Sequence, residues 1–261
     1  MPGASSVTHV KCRWDSGMQI FYDAATNETV HVNAPYYFYD DFIGHAGLEV
    51  GDTAETWDVI DVSAAGDTTP AILPGTAASG ATGVVRLQME ANDEAEDSVI
   101  YWGDQTPVQL YNDAQFECRL AVHGTVGAGI CAVWGVCGAH NLDKDTTAES
   151  AWFRLQASNV LLIETDDTTN DNDDTATGIT LVTDVYHVFR ANFADMSNVK
   201  FYMDGVQMAP ATTFDMSNLT AIEAMVQPYF SLDKAGGTGT AALYIDSCRM
   251  WSARGSYVDD A

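Results

Sequence analysis

Period-two alternation of apolar and polar residues runs through the readable segments of this chain, and a helical repeat sustained over about a dozen residues occurs nowhere. Such a sequence can bury its apolar side chains only by pairing strands and covering a sheet face, so the fold class is all-β. In "QFECRLAV", Phe116, Cys118, Leu120 and Val122 share one face, while Gln115, Glu117 and Arg119 take the other. "VVRLQM" turns Val85, Leu87 and Met89 inward, and "WFRLQA" does the same with Phe153, Leu155 and Ala157, with "NVLLIET" following as a hairpin partner.

"YHVFRANF" lines up His187, Phe189, Ala191 and Phe193. In "VKFYMDGVQM" the residues Val199, Phe201 and Met203 share a face, Asp204 and Gly205 supply a type I′ turn, and Val206 and Met208 return on the same face. The most apolar window, "AGICAVWGVCGA", is about a dozen residues long where a membrane span needs roughly 20, so it reads as buried strand, in one piece or in two kinked at Gly135. "ALYIDSCRMW" is the last strand, and strands of this number and spacing predict a sandwich.

Residues 1–35 stand apart as an N-terminal β arm around "DSG" and "AATNE", followed by the sandwich over 36–254 and an acidic tail over 255–261. A piece of about 35 residues cannot build its own core, so its alternating apolar residues are expected to pack on the sandwich or on a neighbouring subunit. Trp14, Ile20, Phe21 and Tyr22 are the candidate contacts, and deleting residues 1–34 is expected to leave the sandwich folded.

A formal charge of −26, with 11 basic residues scattered along the chain, argues against nucleic acid, which needs clustered Lys and Arg to displace counterions. A surface this acidic suits high salt or dense packing on a particle. The N-terminus lacks the basic and apolar regions of a signal peptide, and no membrane segment is expected. Five cysteines, without C-x-x-C spacing, four of them inside strand patterns, read as buried free thiols.

Chemistry is sparse. The six histidines show no H-x-H or H-x-x-x-H pair, so no zinc site is expected, and no phosphate-binding or dinucleotide motif implies a cofactor. "DDTTNDNDDT" offers oxygen ligands that Ca²⁺ would accept, but lacks the glycine and closing glutamate of an EF-hand and reads as a solvated hairpin loop. Trp102 and Trp152 are candidates for stacking on sugar rings, provided that they lie exposed on a sheet face.

"YHVFRANFADMSNVKFYMDGVQM", followed by "LYIDSCRMWSAR", resembles the closing half of concanavalin A-like jelly rolls, the superfamily of laminin G-type modules and some glycoside hydrolases. "YYFYDDFIG", Trp57 in "ETWDVID" and the strand ending at Met89 resemble its opening half. The glycosidases of that superfamily carry E-x-D-x-x-E on one strand; "MEANDEAEDSV" does not reproduce it, so the chain is expected not to be an enzyme. A narrower likeness, in the order of a short β segment, "DDF" and a jelly roll, is to decoration proteins of tailed viruses. It implies a homotrimer on the virion surface, made in the host cytoplasm and bound to the major capsid protein. The alternative is a lectin-like module of a head fibre or tail that binds surface glycan.

Overall fold

The computed structural model describes residues 10–15, 17–43, 48, 57–64, 69–73 and 83–253. The acidic tail expected over 255–261 lies outside them. Residues 10–33 form a three-stranded sheet of β1 (Val10–Asp15), β2 (Met18–Asp23) and β3 (Thr29–Asn33). The chain continues through β4 (Tyr36–Asp40), β5 (Asp58–Val62), β6 (Ala71–Leu73), β7 (Val84–Gln88), β8 (Glu96–Tyr101) and β9 (Val108–Gln109). Next come β10 (Gln115–His123), β11 (Ile130–Cys137), β12 (Glu149–Gln156), β13 (Val160–Asp167) and β14 (Asp171–Thr180). The last are β15 (His187–Asn192), β16 (Lys200–Met203), β17 (Val206–Gln207), β18 (Met225–Lys234) and β19 (Ala242–Ser252). Helix among the described residues is limited to two short 3₁₀ turns, at Lys144–Thr146 and Ala157–Asn159.

Two eight-stranded antiparallel sheets stack as a sandwich. The first runs β17-β16-β15-β10-β19-β7-β6 with β4 also on β19, and the second runs β14-β13-β12-β11-β18-β8-β5 with β9 also on β18. The alternating residues of the central strands meet between them. Phe116 lies 5.9 Å from Phe230, Trp134 4.9 Å from Phe189, and Phe153 5.3 Å from Phe201, ring centre to ring centre. Each such side chain contributes roughly 1.5–3 kcal/mol by leaving water, which makes this shared layer the main source of stability.

Three local expectations are corrected. Val206 does not return to the core with Met208: the turn forms as read, with Asp204 and Gly205 both at positive φ, but Val206 is 69% exposed. Ala157 is exposed, because β12 ends at Gln156 and gives way to a 3₁₀ turn. The acidic run is not all loop: after a turn at 168–170, its residues from Asp171 onward form the edge strand β14.

Gly135 is not a kink. β11 is one strand through it, and the missing side chain instead admits β12: a Cβ there would lie 2.7 Å from Trp152 Cα and closer still to the Ala151 carbonyl oxygen. Backbone cannot step aside as a flexible side chain can. Gly135→Ala is therefore expected to cost about 1–3 kcal/mol, seen as a lower denaturation midpoint at unchanged slope.

The arm is fastened to the outer face of the first sheet. Met18, Ile20 and Val32 pack on Trp251. The backbone N–H and hydroxyl of Thr29 donate to the two carboxylate oxygens of Glu117 at 2.9 and 2.8 Å. Arg249 Nη1 stands 3.5 Å from Glu117, and Nη2 donates to Glu28 at 3.0 Å. Burial pushes the Glu117 carboxyl up, and Arg249 and the Thr29 donors pull it part of the way back. Glu117 thus faces away from the sandwich core, as its phase requires, and is buried by the arm.

Candidate functional site

The outer face of the second sheet holds the most distinctive constellation in the molecule. Strand register aligns Asp58, Tyr101, Tyr229, Gly135, Trp152 and Glu164 in one row across β5, β8, β18, β11, β12 and β13. Gly135 sits at the centre, where no side chain rises between its neighbours. The Trp152 and Tyr229 rings lie 6.0 Å apart and those of Tyr229 and Tyr101 6.3 Å apart. Three rings in line, flanked by carboxylates, would offer flat apolar surface beside hydrogen-bond acceptors once uncovered; as folded here they are buried, Trp152 0%, Tyr229 1% and Tyr101 6% exposed.

Adjacent rows carry charge. One sets Val99, Ser231, Val133 and Arg154 in register, and the next sets Asp97, Asp233 and Cys131. Arg154 Nη1 donates to Glu164 at 2.6 Å and to Asp145 at 2.8 Å. Burial pulls its guanidinium down, and the hydrogen bond to Glu164, Cys131, the Glu164 charge and Asp145 together more than reverse this. Asp97 and Asp233 are both pushed up by burial, with Lys144 drawing each back.

Residues 138–148, which join β11 to β12, lie across these rows. The His140 ring is 4.5 Å from that of Tyr101, and its Nδ1 and backbone N–H both meet the Asp104 carboxylate, at 2.9 and 2.8 Å. Tyr229 Oη reaches the Asn141 carbonyl at 3.5 Å, and Gln227 Nε2 donates to the Gly138 carbonyl at 2.8 Å. Lys144 Nζ stands 3.0 Å from Asp233 and 3.8 Å from Asp97. A polar pocket of about 240 Å³ opens at the edge of this segment, between Asp143 and Asp145 above and Cys131, Arg154 and Asp233 below. Burial and the neighbouring carboxylates push the Tyr101 hydroxyl up to about 12, and burial with Asp233 pushes the Cys131 thiol up to about 12.

The candidate residues read from the sequence divide between these regions. Trp152 has the outward phase expected of it and lies on this face, yet it is 0% exposed, clustered with Tyr229 and Cys137. Trp102 is corrected to the inter-sheet core, 6% exposed with its ring 4.7 Å from Phe38, so it presents no stacking surface. Ile20 is likewise turned into the contact between arm and sandwich, because β2 buries its even-numbered positions Met18 and Ile20 there. Phe21 and Tyr22 are half-buried, and Trp14 is 70% exposed on the arm face turned away from the sandwich. Of the cysteines, Cys118, Cys137 and Cys248 are buried free thiols, Cys131 is half-buried and Cys12 is exposed. Lys144 and its two carboxylates went unnoticed in the sequence, where "GAHNLDKDTTA" has no periodicity and the three residues stand far apart.

No protein-family model matches the chain, and no curated protein does. Solved structures do resemble it. A protein of unknown function from Shewanella oneidensis MR-1 superposes with a TM-score of 0.53 at 12% identity, over 85% of this chain and 90% of that one. The catalytic domain of an endo-1,3-β-glucanase (laminarinase) from Thermotoga petrophila RKU-1 gives 0.52 at 10% identity, over 84% and 97%. The carbohydrate-recognition domain of Emp47p gives 0.50 at 9% identity, over 84% and 96%. The chain has the concanavalin A-like jelly-roll fold shared by these lectin and glucanase domains.

The expectation that the chain is not an enzyme is overturned by this likeness: a glucanase catalytic domain is built on the same fold over nearly its full length. Register sets Asp97 and Asp233 side by side on two neighbouring strands, a pairing of carboxylates that a motif along one strand does not contain.

Proposed function

We propose that the chain is a carbohydrate-recognising jelly roll that takes a saccharide on the outer face of its second sheet. The row of Tyr101, Tyr229 and Trp152 between Asp58 and Glu164 carries this reading: aromatic faces stack on sugar C–H surfaces while carboxylates accept from hydroxyls. The fold supports it, since the domains it resembles include a carbohydrate-recognition domain and a 1,3-β-glucanase. Calorimetric titration with β-1,3-glucan oligosaccharides is expected to give saturable binding that is lost in Trp152→Leu, with product analysis of the same mixtures reading any turnover. Absence of binding to these and to every oligosaccharide of a broad glycan array would sink the reading.

The arm favours a second reading of where such a module is held. Val10 and Trp14, 50% and 70% exposed, share the outward arm face with Cys12 and Phe21. This is the surface an adhesive contact would use, and it suits a homotrimeric decoration protein or head-fibre module on the major capsid protein of a tailed virus. Quantitative mass spectrometry of purified virions would find the chain in a simple ratio to the capsid protein; its absence from virions would end that reading.

A further inference from the structure

We propose that residues 138–148 are a cover latched by Lys144, which lifts to open the outer face of the second sheet to a saccharide. The proposal rests on the carbohydrate reading for its ligand, but not for the motion itself.

The cover is built inside out. Its three apolar side chains, Ala139, Leu142 and Ala148, face solvent, with Leu142 37% exposed, while the buried side chains it contributes are those of Lys144 and Thr147. The surface beneath is the reverse, an aromatic row flanked by Val99 and Val133. A segment held down by hydrophobic burial would turn Leu142 inward. This one is held by polar anchors: His140 on Asp104, Lys144 between Asp97 and Asp233, and Asp145 on Arg154.

Such anchors have a different balance from apolar packing. The Lys144 ammonium gives up water to sit between two carboxylates that are themselves partly desolvated, so much of its attraction is spent on desolvation and the net hold is small. Lifting returns all three groups to water. Segments that open locally are those with few buried apolar contacts, and in this segment Ala139, Leu142 and Ala148 are all exposed, with the His140 ring on Tyr101 its one ring contact to the face beneath among the described residues. A saccharide stacking on Trp152 and Tyr229 would replace the cover over the rings, so that binding and opening draw on one equilibrium.

Cys131 reports the motion without any ligand. It lies half-buried on the same face beside Asp233, whereas Cys118 and Cys248 lie in the core between the sheets. In Lys144→Met the two carboxylates lose their shared cation, and alkylation of Cys131 by iodoacetamide, read by peptide mass spectrometry, is expected to speed up by about tenfold or more. Cys118 and Cys248 should stay unreactive, and affinity for β-1,3-glucan oligosaccharides should rise by a similar factor. Unchanged Cys131 labelling overturns the cover. Faster labelling without any saccharide binding upholds the cover and refutes the carbohydrate reading. Should Cys118 and Cys248 also label, marking a misfolded variant, His140→Ala and Asp145→Ser decide the matter: both cut anchors less buried than Lys144, and no gain at Cys131 in either overturns the proposal.

Discussion

Replacing Glu117 by alanine lowers the unfolding free energy by about 3–5 kcal/mol, the expected cost of removing one partner from a buried charge pair. The loss has three sources. Among the described residues Arg249 keeps only Glu28 as a close anion, the Thr29 amide and hydroxyl lose their acceptors, and a void opens between arm and sheet. Burial pulls the Arg249 guanidinium down, and Glu117, Glu28, Tyr37 and Tyr39 together more than reverse this, so removing Glu117 leaves a cation still buried without the largest of its compensating charges. Chemical denaturation of Glu117→Ala beside Glu117→Gln checks it, because the amide keeps the volume and an acceptor and should lose less. The same contacts revise the expectation for the arm. Deleting residues 1–34 removes Thr29 and Glu28 and bares Trp251, so the truncated sandwich should melt well below the full chain rather than fold indifferently to the loss. A loss under about 1 kcal/mol for Glu117→Ala would mean that the arm is only loosely docked.

Trp57→Ala carries a comparable expected cost, about 3–5 kcal/mol. The indole sits immediately before β5, with ring centres 5.5 Å to Phe42, 5.9 Å to Phe230, 6.0 Å to Trp102 and 6.2 Å to Phe38. Phe38 belongs to the first sheet and Phe230 to the second, so one side chain spans the sandwich at this end. Its Nε1 also donates to Asp40 at 2.8 Å, tying the end of β4 to the start of β5. The surrounding rings are too large to collapse into the space left behind. Thermal denaturation should show Trp57→Ala far below wild type and Trp57→Phe between the two; equal melting of all three would contradict this account of the core.

Alternation along single strands made the core legible. Phe116, Cys118, Leu120, Phe153, Leu155, Phe189 and Phe201 all face the layer between the sheets, because a strand with one face on a core declares that face in its own sequence. The last strand was harder. In β19, Leu243 and Ile245 point inward, and so do Cys248 and Met250, because a bulge at Asp246 shifts the phase opposite Arg119 and Leu120. Where a bulge falls depends on the partner strand, which the sequence of β19 does not contain.

What covers an outer face was not legible either. Glu117 and Trp152 both have outward phase, and both are buried, Glu117 by the arm and Trp152 in a cluster on a face that residues 138–148 cross at Tyr101 and Tyr229. Phase assigns a side chain to a face, whereas its exposure depends on segments far away in sequence or without periodicity of their own. The candidate site suffered most, since its parts come from six strands and one irregular segment.

Hydrogen exchange of the full chain, with and without saturating β-1,3-glucan oligosaccharide, tests the central claim most directly. Carbohydrate recognition on the outer face of the second sheet predicts slowed exchange in β8, β11, β12 and β18, altered exchange across residues 138–148, and no change in β1 to β3. Protection confined to the arm, or no protection anywhere at concentrations that saturate a laminarinase, would contradict it.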